Sequence, residues 1–112
     1  MLLNAFPLQI VPSFAVVVVR PATLDEAREA LRRGSAIGHI DTAAVLSDIL
    51  REHVPIARVT VPVSDTGDVV VAQYVGPRMQ EGTKVLPEGA RFEFRRVRWR
   101  ATVNGDEADT II

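Results

Sequence analysis

The chain has no cysteine. That excludes disulfides, thiolate metal sites and a cysteine nucleophile, and it fits a reducing cytoplasm. Histidine is almost as scarce: only His39 and His53 occur, without the companions that a histidine-rich metal site needs. Neither sign of charge predominates. Thirteen Lys and Arg against fourteen Asp and Glu leave a formal charge of −1, so no global basic field exists to attract long duplex nucleic acid. Long apolar runs are missing too. The longest, Phe14 to Val19, is far too short to span a bilayer. The first residues, Met1-Leu-Leu-Asn-Ala-Phe6, lack a basic region and meet a polar Asn at once, unlike a signal peptide. What remains is a balance of 47% hydrophobic and 24% charged residues over 112 positions. This is the composition of one soluble globular domain.

Punctuation along the chain predicts its elements. Leu2 to Phe6 reads as a short buried strand, followed by a loop carrying Pro7 and Pro12. Phe14 to Arg20 is continuous and β-branched, which predicts a central strand covered on both faces and ended by Pro21. Thr23-Leu-Asp-Glu26 matches a capping box, and Gly34 is a stop, so a helix is expected over about 24–33. A second helix should open at Asp41 or Thr42, either of which can cap it, with Val45, Leu46, Ile49 and Leu50 as its apolar stripe. Ile56 to Val63 alternates as a strand, Ser64 to Asp68 reads as a hairpin turn, and Val69 to Val75 is the returning strand. Arg91 to Arg100 is a last strand whose Phe92, Phe94, Val97 and Trp99 change parity; a bulge at Arg95-Arg96 would keep all four on one face. The expected fold is a single small α/β domain over 1–101, a mixed sheet of about five strands with two helices, and an acidic, frayed tail over 102–112.

The residues able to do chemistry fall in two places. His39 stands in Ser35-Ala-Ile-Gly-His-Ile-Asp-Thr42 at the mouth of the second helix, where free backbone N–H groups and the helix dipole suit an anion and a histidine can give or take a proton near neutral pH. Gly76-Pro-Arg-Met-Gln-Glu-Gly82 is a compact polar loop. Its arginine and glutamate, framed by glycines, offer a phosphate fork and a carboxylate. Together these parts point to phosphodiester chemistry.

Leu3-Asn-Ala-Phe6, Ala36-Ile-Gly-His39 before a helix, Arg58 early in a strand, and Gln73 followed by the Gly76–Gly82 loop occur here in one order. In that order they resemble the viral ring nuclease family, the type III anti-CRISPR enzymes and their cellular homologues. The resemblance covers residues 2 to about 86. It implies a symmetric α/β homodimer that encloses cyclic tetra-adenylate and cuts it, without metal or cofactor, to linear di-adenylate with a 2′,3′-cyclic phosphate. That reaction would switch off type III effector signalling in the host cytoplasm. It further implies His39 as general acid, with Arg78 and Glu81 completing the site. Arg58 would fix a second phosphate, and Asn4, Phe6, Gly38, Asp41, Thr42 and Gln73 would line the ligand. Such chemistry needs no enzyme nucleophile, because the adjacent ribose 2′-hydroxyl attacks. It needs a proton donor to the departing 5′-oxygen and a cation for the charge on phosphorus, and histidine and arginine supply these. Two positions depart from the viral pattern: Pro7 replaces a serine, and Ile40 separates the histidine from its aspartate. A binding module that sequesters or senses the cyclic nucleotide is therefore the alternative.

Five arginines between Arg91 and Arg100 invite an RNA-binding reading. Their alternation with apolar residues instead predicts an amphipathic strand whose arginines protect a sheet edge.

Overall fold

The computed structural model describes residues 1–103. The elements are β1 (Leu2–Leu3), a 3-10 turn (Leu8–Ile10), β2 (Ala15–Pro21), α1 (Leu24–Arg33), α2 (Ile40–Leu50), β3 (Thr66–Val75) and β4 (Arg91–Ala101). They form a small α/β domain with two helices on a four-stranded mixed sheet, ordered β1-β3-β4-β2. β1 runs parallel to β3, while β3 and β2 flank β4 antiparallel.

The helices begin and end where local chemistry dictates. Thr23 accepts from the Glu26 backbone N–H, and the Glu26 side chain answers by accepting from the Thr23 N–H, the reciprocal capping box expected from the sequence. Gly34 closes α1 by donating to the Leu31 carbonyl. α1 and α2 then bury Ala27, Ala30, Leu31, Ala43, Leu46 and Leu50 against Leu2, Val70, Ala72 and Phe94 of the sheet. A second core lies on the opposite face, where Leu3, Ile10, Val69, Val71, Val97 and Trp99 pack with Phe6, Val11 and Val61.

Five expectations need correction. β2 is an edge strand rather than a central one: it pairs with β4 alone, and Val17 and Val19 are exposed. A continuous β-branched run reports strand propensity but not place in the sheet. The segment from Ile56 to Val63 is not a strand. It crosses the second core as an extended connection, pinned by Ala57 N–H to the Ile37 carbonyl (2.9 Å) and Ser64 N–H to the Ile10 carbonyl (3.0 Å). The sheet thus has four strands, and Thr66 to Asp68 belong to β3 rather than to a hairpin turn. β4 has no bulge. Its register with β3 runs unbroken from Thr66↔Arg100 to Val75↔Arg91, so Phe92 and Phe94 face the helices while Val97 and Trp99 face the other core. The parity change thus serves two faces. β4 is also interior to the sheet, so its arginines guard no edge. At its end, Thr102 donates to the Phe14 carbonyl at 2.9 Å, which ties residue 102 to the sheet. The acidic residues of the tail lie outside the described residues.

Candidate functional site

The N-cap of the second helix lies two residues before Asp41, the nearer of the two capping residues expected from the sequence. His39 itself is the N-cap: its backbone is extended (φ −111°, ψ 129°) and its Nδ1 accepts from the Asp41 N–H at 3.2 Å. A ring nitrogen here does what an Asn or Ser oxygen does at most helix starts. With Nδ1 accepting, Nε2 is the nitrogen that carries the proton, and the ring is exposed.

The loop after β3 is shaped by three local restraints. Gly76 has φ +148°, a region L side chains rarely adopt, and a Cβ there would stand 2.6 Å from the Ala90 Cβ. The Tyr74 hydroxyl donates to the Pro77 carbonyl, and the Thr83 N–H donates to the Gln80 carbonyl at 3.1 Å. This folded loop presents Arg78, Met79 and Glu81, with Lys84 just beyond, to the start of α2. The result is an open cleft of about 620 Å³ lined by His39, Ile40, Asp41, Arg78, Glu81 and Lys84, among others. Arg78, Glu81 and Lys84 have no hydrogen-bond or ion-pair partner for their side chains among the described residues.

A second cleft, of about 360 Å³, contains Asn4, Phe6, Pro7, Gln9 and Thr60, with Ala36 and Val61. Phe6 is half-buried there, edge-on to Trp99 with ring centroids 5.7 Å apart. The segment from Ala36 to His39 separates the two clefts, Ala36 lining one and His39 the other. Arg58 lies across this divide. Its Nε donates to the Gly38 carbonyl at 2.9 Å, and its Cγ would sit 3.2 Å from a Cβ on Gly38, so the glycine lets the arginine stem lie close.

The structure therefore gathers His39, Asp41, Arg78 and Glu81 in one cleft, places Asn4 and Phe6 in the neighbouring one, and puts Gly38 and Arg58 between them. Thr42 is buried in α2 and lines neither cleft. Gln73 is exposed on β3, opposite Glu93, and also lines neither. Asp41 is buried, and its Oδ2 accepts from the Gly82 N–H at 3.0 Å. Lys84 is a cleft residue that sequence reasoning missed; only its position just after the loop could have marked it. Among the described residues no three His, Cys, Asp or Glu side chains cluster in a way that could hold a metal ion, and no helix is long and apolar enough to cross a membrane.

A small α/β domain with a histidine-capped helix facing a glycine-framed Arg/Glu loop is the class that fold and cleft define. The chain belongs to the STIV B116-like family, a viral protein family whose model matches residues 1–94 and so includes every residue of both clefts. No curated protein matches the chain in sequence.

Proposed function

We propose that this protein is a metal-independent ring nuclease that cleaves cyclic tetra-adenylate to linear di-adenylate ending in a 2′,3′-cyclic phosphate. One observation carries the reading: an imidazole ring shares a cleft with an arginine and a glutamate whose side chains have no partner among the described residues. Ion pairs satisfied within the fold would make Arg78 and Glu81 structural. Left bare, they are available to a ligand.

In the proposed reaction a ribose 2′-oxygen attacks the adjacent phosphorus and the bond from phosphorus to the 5′-oxygen breaks. His39 enters the step as the imidazolium, with Nδ1 freed from the Asp41 N–H. It gives its Nε2 proton to that departing oxygen and returns to the neutral ring, and the 2′-hydroxyl proton leaves to water. Arg78 stabilises the negative charge gathering on the phosphoryl oxygens. Glu81, an anion, does not approach the phosphate; it orients Arg78, supports a protonated His39 or grips a ribose hydroxyl. In this reading Arg58, at the divide, meets a neighbouring phosphate, and Asn4 and Phe6 meet a base or ribose in the second cleft; their positions support that assignment. A ring of four nucleotides exceeds one open cleft. A second copy facing the first across a twofold axis would enclose it and supply a site for each of two cuts. The consequence would be loss of the second messenger of type III CRISPR immunity.

Pro7 and Ile40, the two departures from the viral pattern, each line a cleft. That observation favours a second reading, a module that holds the cyclic nucleotide without turnover. Incubation of wild type and His39→Ala with labelled cyclic tetra-adenylate in EDTA, resolved by chromatography, separates the two. Di-adenylate with a cyclic phosphate from wild type alone supports the nuclease. Binding by both with cleavage by neither supports the module. Absence of binding would refute both.

A further inference from the structure

His39 and Gly82 belong to different elements, yet one residue touches both. The Asp41 N–H donates to His39 Nδ1 at 3.2 Å, and Asp41 Oδ2 accepts from the Gly82 N–H at 3.0 Å, across 41 positions of sequence. We propose that Asp41 is a positioning residue that joins the two halves of the cleft, orienting the His39 ring with its backbone and holding the Arg78/Glu81 loop with its carboxylate.

Three features of the structure support this role over that of a ligand-facing acid. Asp41 is buried, with only 8% of its surface exposed. Among the described residues it has no salt-bridge partner, and the Gly82 amide is the hydrogen-bond donor to its carboxylate. It lies in the first turn of α2, where the helix dipole favours an anion and a charge-assisted bond to a backbone N–H is strong. The bonds from Tyr74 to Pro77 and from Thr83 to Gln80 shape the loop but do not place it. Among the described residues the bond from Gly82 to Asp41 is the hydrogen bond that links the loop to α2. Remove it, and the separation between His39 Nε2 and the Arg78 guanidinium is no longer fixed. A misplacement of this kind, about 1 Å, costs ~10²-fold in rate. The kinetic consequence rests on the ring-cleavage reading; the tie itself does not.

The test reads the tie directly by NMR on the ¹⁵N-labelled protein without ligand. In wild type the Gly82 amide should exchange more slowly than that of Glu81, and its shift should follow the protonation of a carboxylate as the pH is lowered. Asp41→Asn isolates the contribution of this carboxylate: its side-chain carbonyl still accepts, so protection stays while the acid response of Gly82 disappears. Asp41→Ala should lose about tenfold in protection at Gly82. With cyclic tetra-adenylate, Asp41→Ala should lower kcat ~10²-fold with a smaller change in KM, and Asp41→Asn should restore most of it. Equal Gly82 exchange in wild type and Asp41→Ala, or a wild-type Gly82 shift indifferent to acid, would overturn the proposal. Should Asp41→Ala fail to fold, the wild-type titration and Asp41→Asn still decide. If wild type does not cleave, the amide measurements stand alone and judge the tie without the nuclease reading.

Discussion

On one side of the domain, Glu26 is shared between Arg20, at 2.6 Å, and Arg96, at 3.2 Å, and Arg96 is gripped in turn by Asp68. In the cleft at the start of α2, Arg78, Glu81 and Lys84 line one open surface with no side-chain partner among the described residues. The two groups have similar composition and opposite logic. The first lashes the start of α1 to β2, β3 and β4, so its charges are consumed by the architecture. The second leaves its charges exposed to water, hydrated and conformationally free, so that a ligand need displace no protein partner to reach them. Satisfaction within the chain, rather than residue type, is what distinguishes the two groups.

That contrast can be broken experimentally. His39→Ala should make the deepest cut: cleavage of cyclic tetra-adenylate falling by ~10³-fold, while loss of its cap costs about 1 kcal/mol of stability, measured by chromatography and by urea unfolding. Arg78→Ala should lower turnover by ~10²-fold and leave unfolding within about 0.5 kcal/mol of wild type. An equal loss of stability would place Arg78 with the structural charges. In the other group the expectation reverses. Thr23→Ala, which removes the side-chain half of the capping box, should cost about 1 kcal/mol and leave cleavage unchanged.

Acid sharpens the comparison further. The Arg20 guanidinium, aided by the Thr23 N–H and Arg96, holds the Glu26 carboxyl down at about 2, against an ordinary value of 4.5. Arg96 likewise lowers the Asp68 carboxyl. Because both folded values lie below the unfolded ones, their stabilisation is complete above the ordinary carboxylate range. It is lost as pH falls through the window from about 4.5 toward about 2. Thermal midpoints should drop across that window, and Glu26→Gln should flatten the fall. The smallest effect belongs to Lys84→Ala, which should raise KM by a factor of about five, ~1 kcal/mol, with kcat unchanged and a weaker dependence on salt.

Much of this was legible in the chain, and the exceptions share a cause. The capping box at Thr23 and the stop at Gly34 are local chemistry within a few residues, and they folded as expected. The place of β2 at an edge, and the failure of Ile56 to Val63 to join the sheet, depend on which distant strand wins a partner. Alternation alone carries no such information. The gathering of His39, Arg78 and Glu81 followed from the order of the motifs. The cap made by His39 did not, because histidine ranks low among capping residues. Nor did the tie from Asp41 to Gly82, which no local pattern announces.

The alternation in β4 has one more consequence. Phe94 sits between Glu93 and Arg95, Val97 between Arg96 and Arg98, and Trp99 between Arg98 and Arg100. Every fully buried position on this strand, on both faces of the sheet, is bracketed by charge. A slip of one residue in either direction would therefore drive charged side chains into both cores at once, a penalty of several kcal/mol for each. The strand works as a checksum. A one-residue misalignment with β2 or β3 fails at every buried site together.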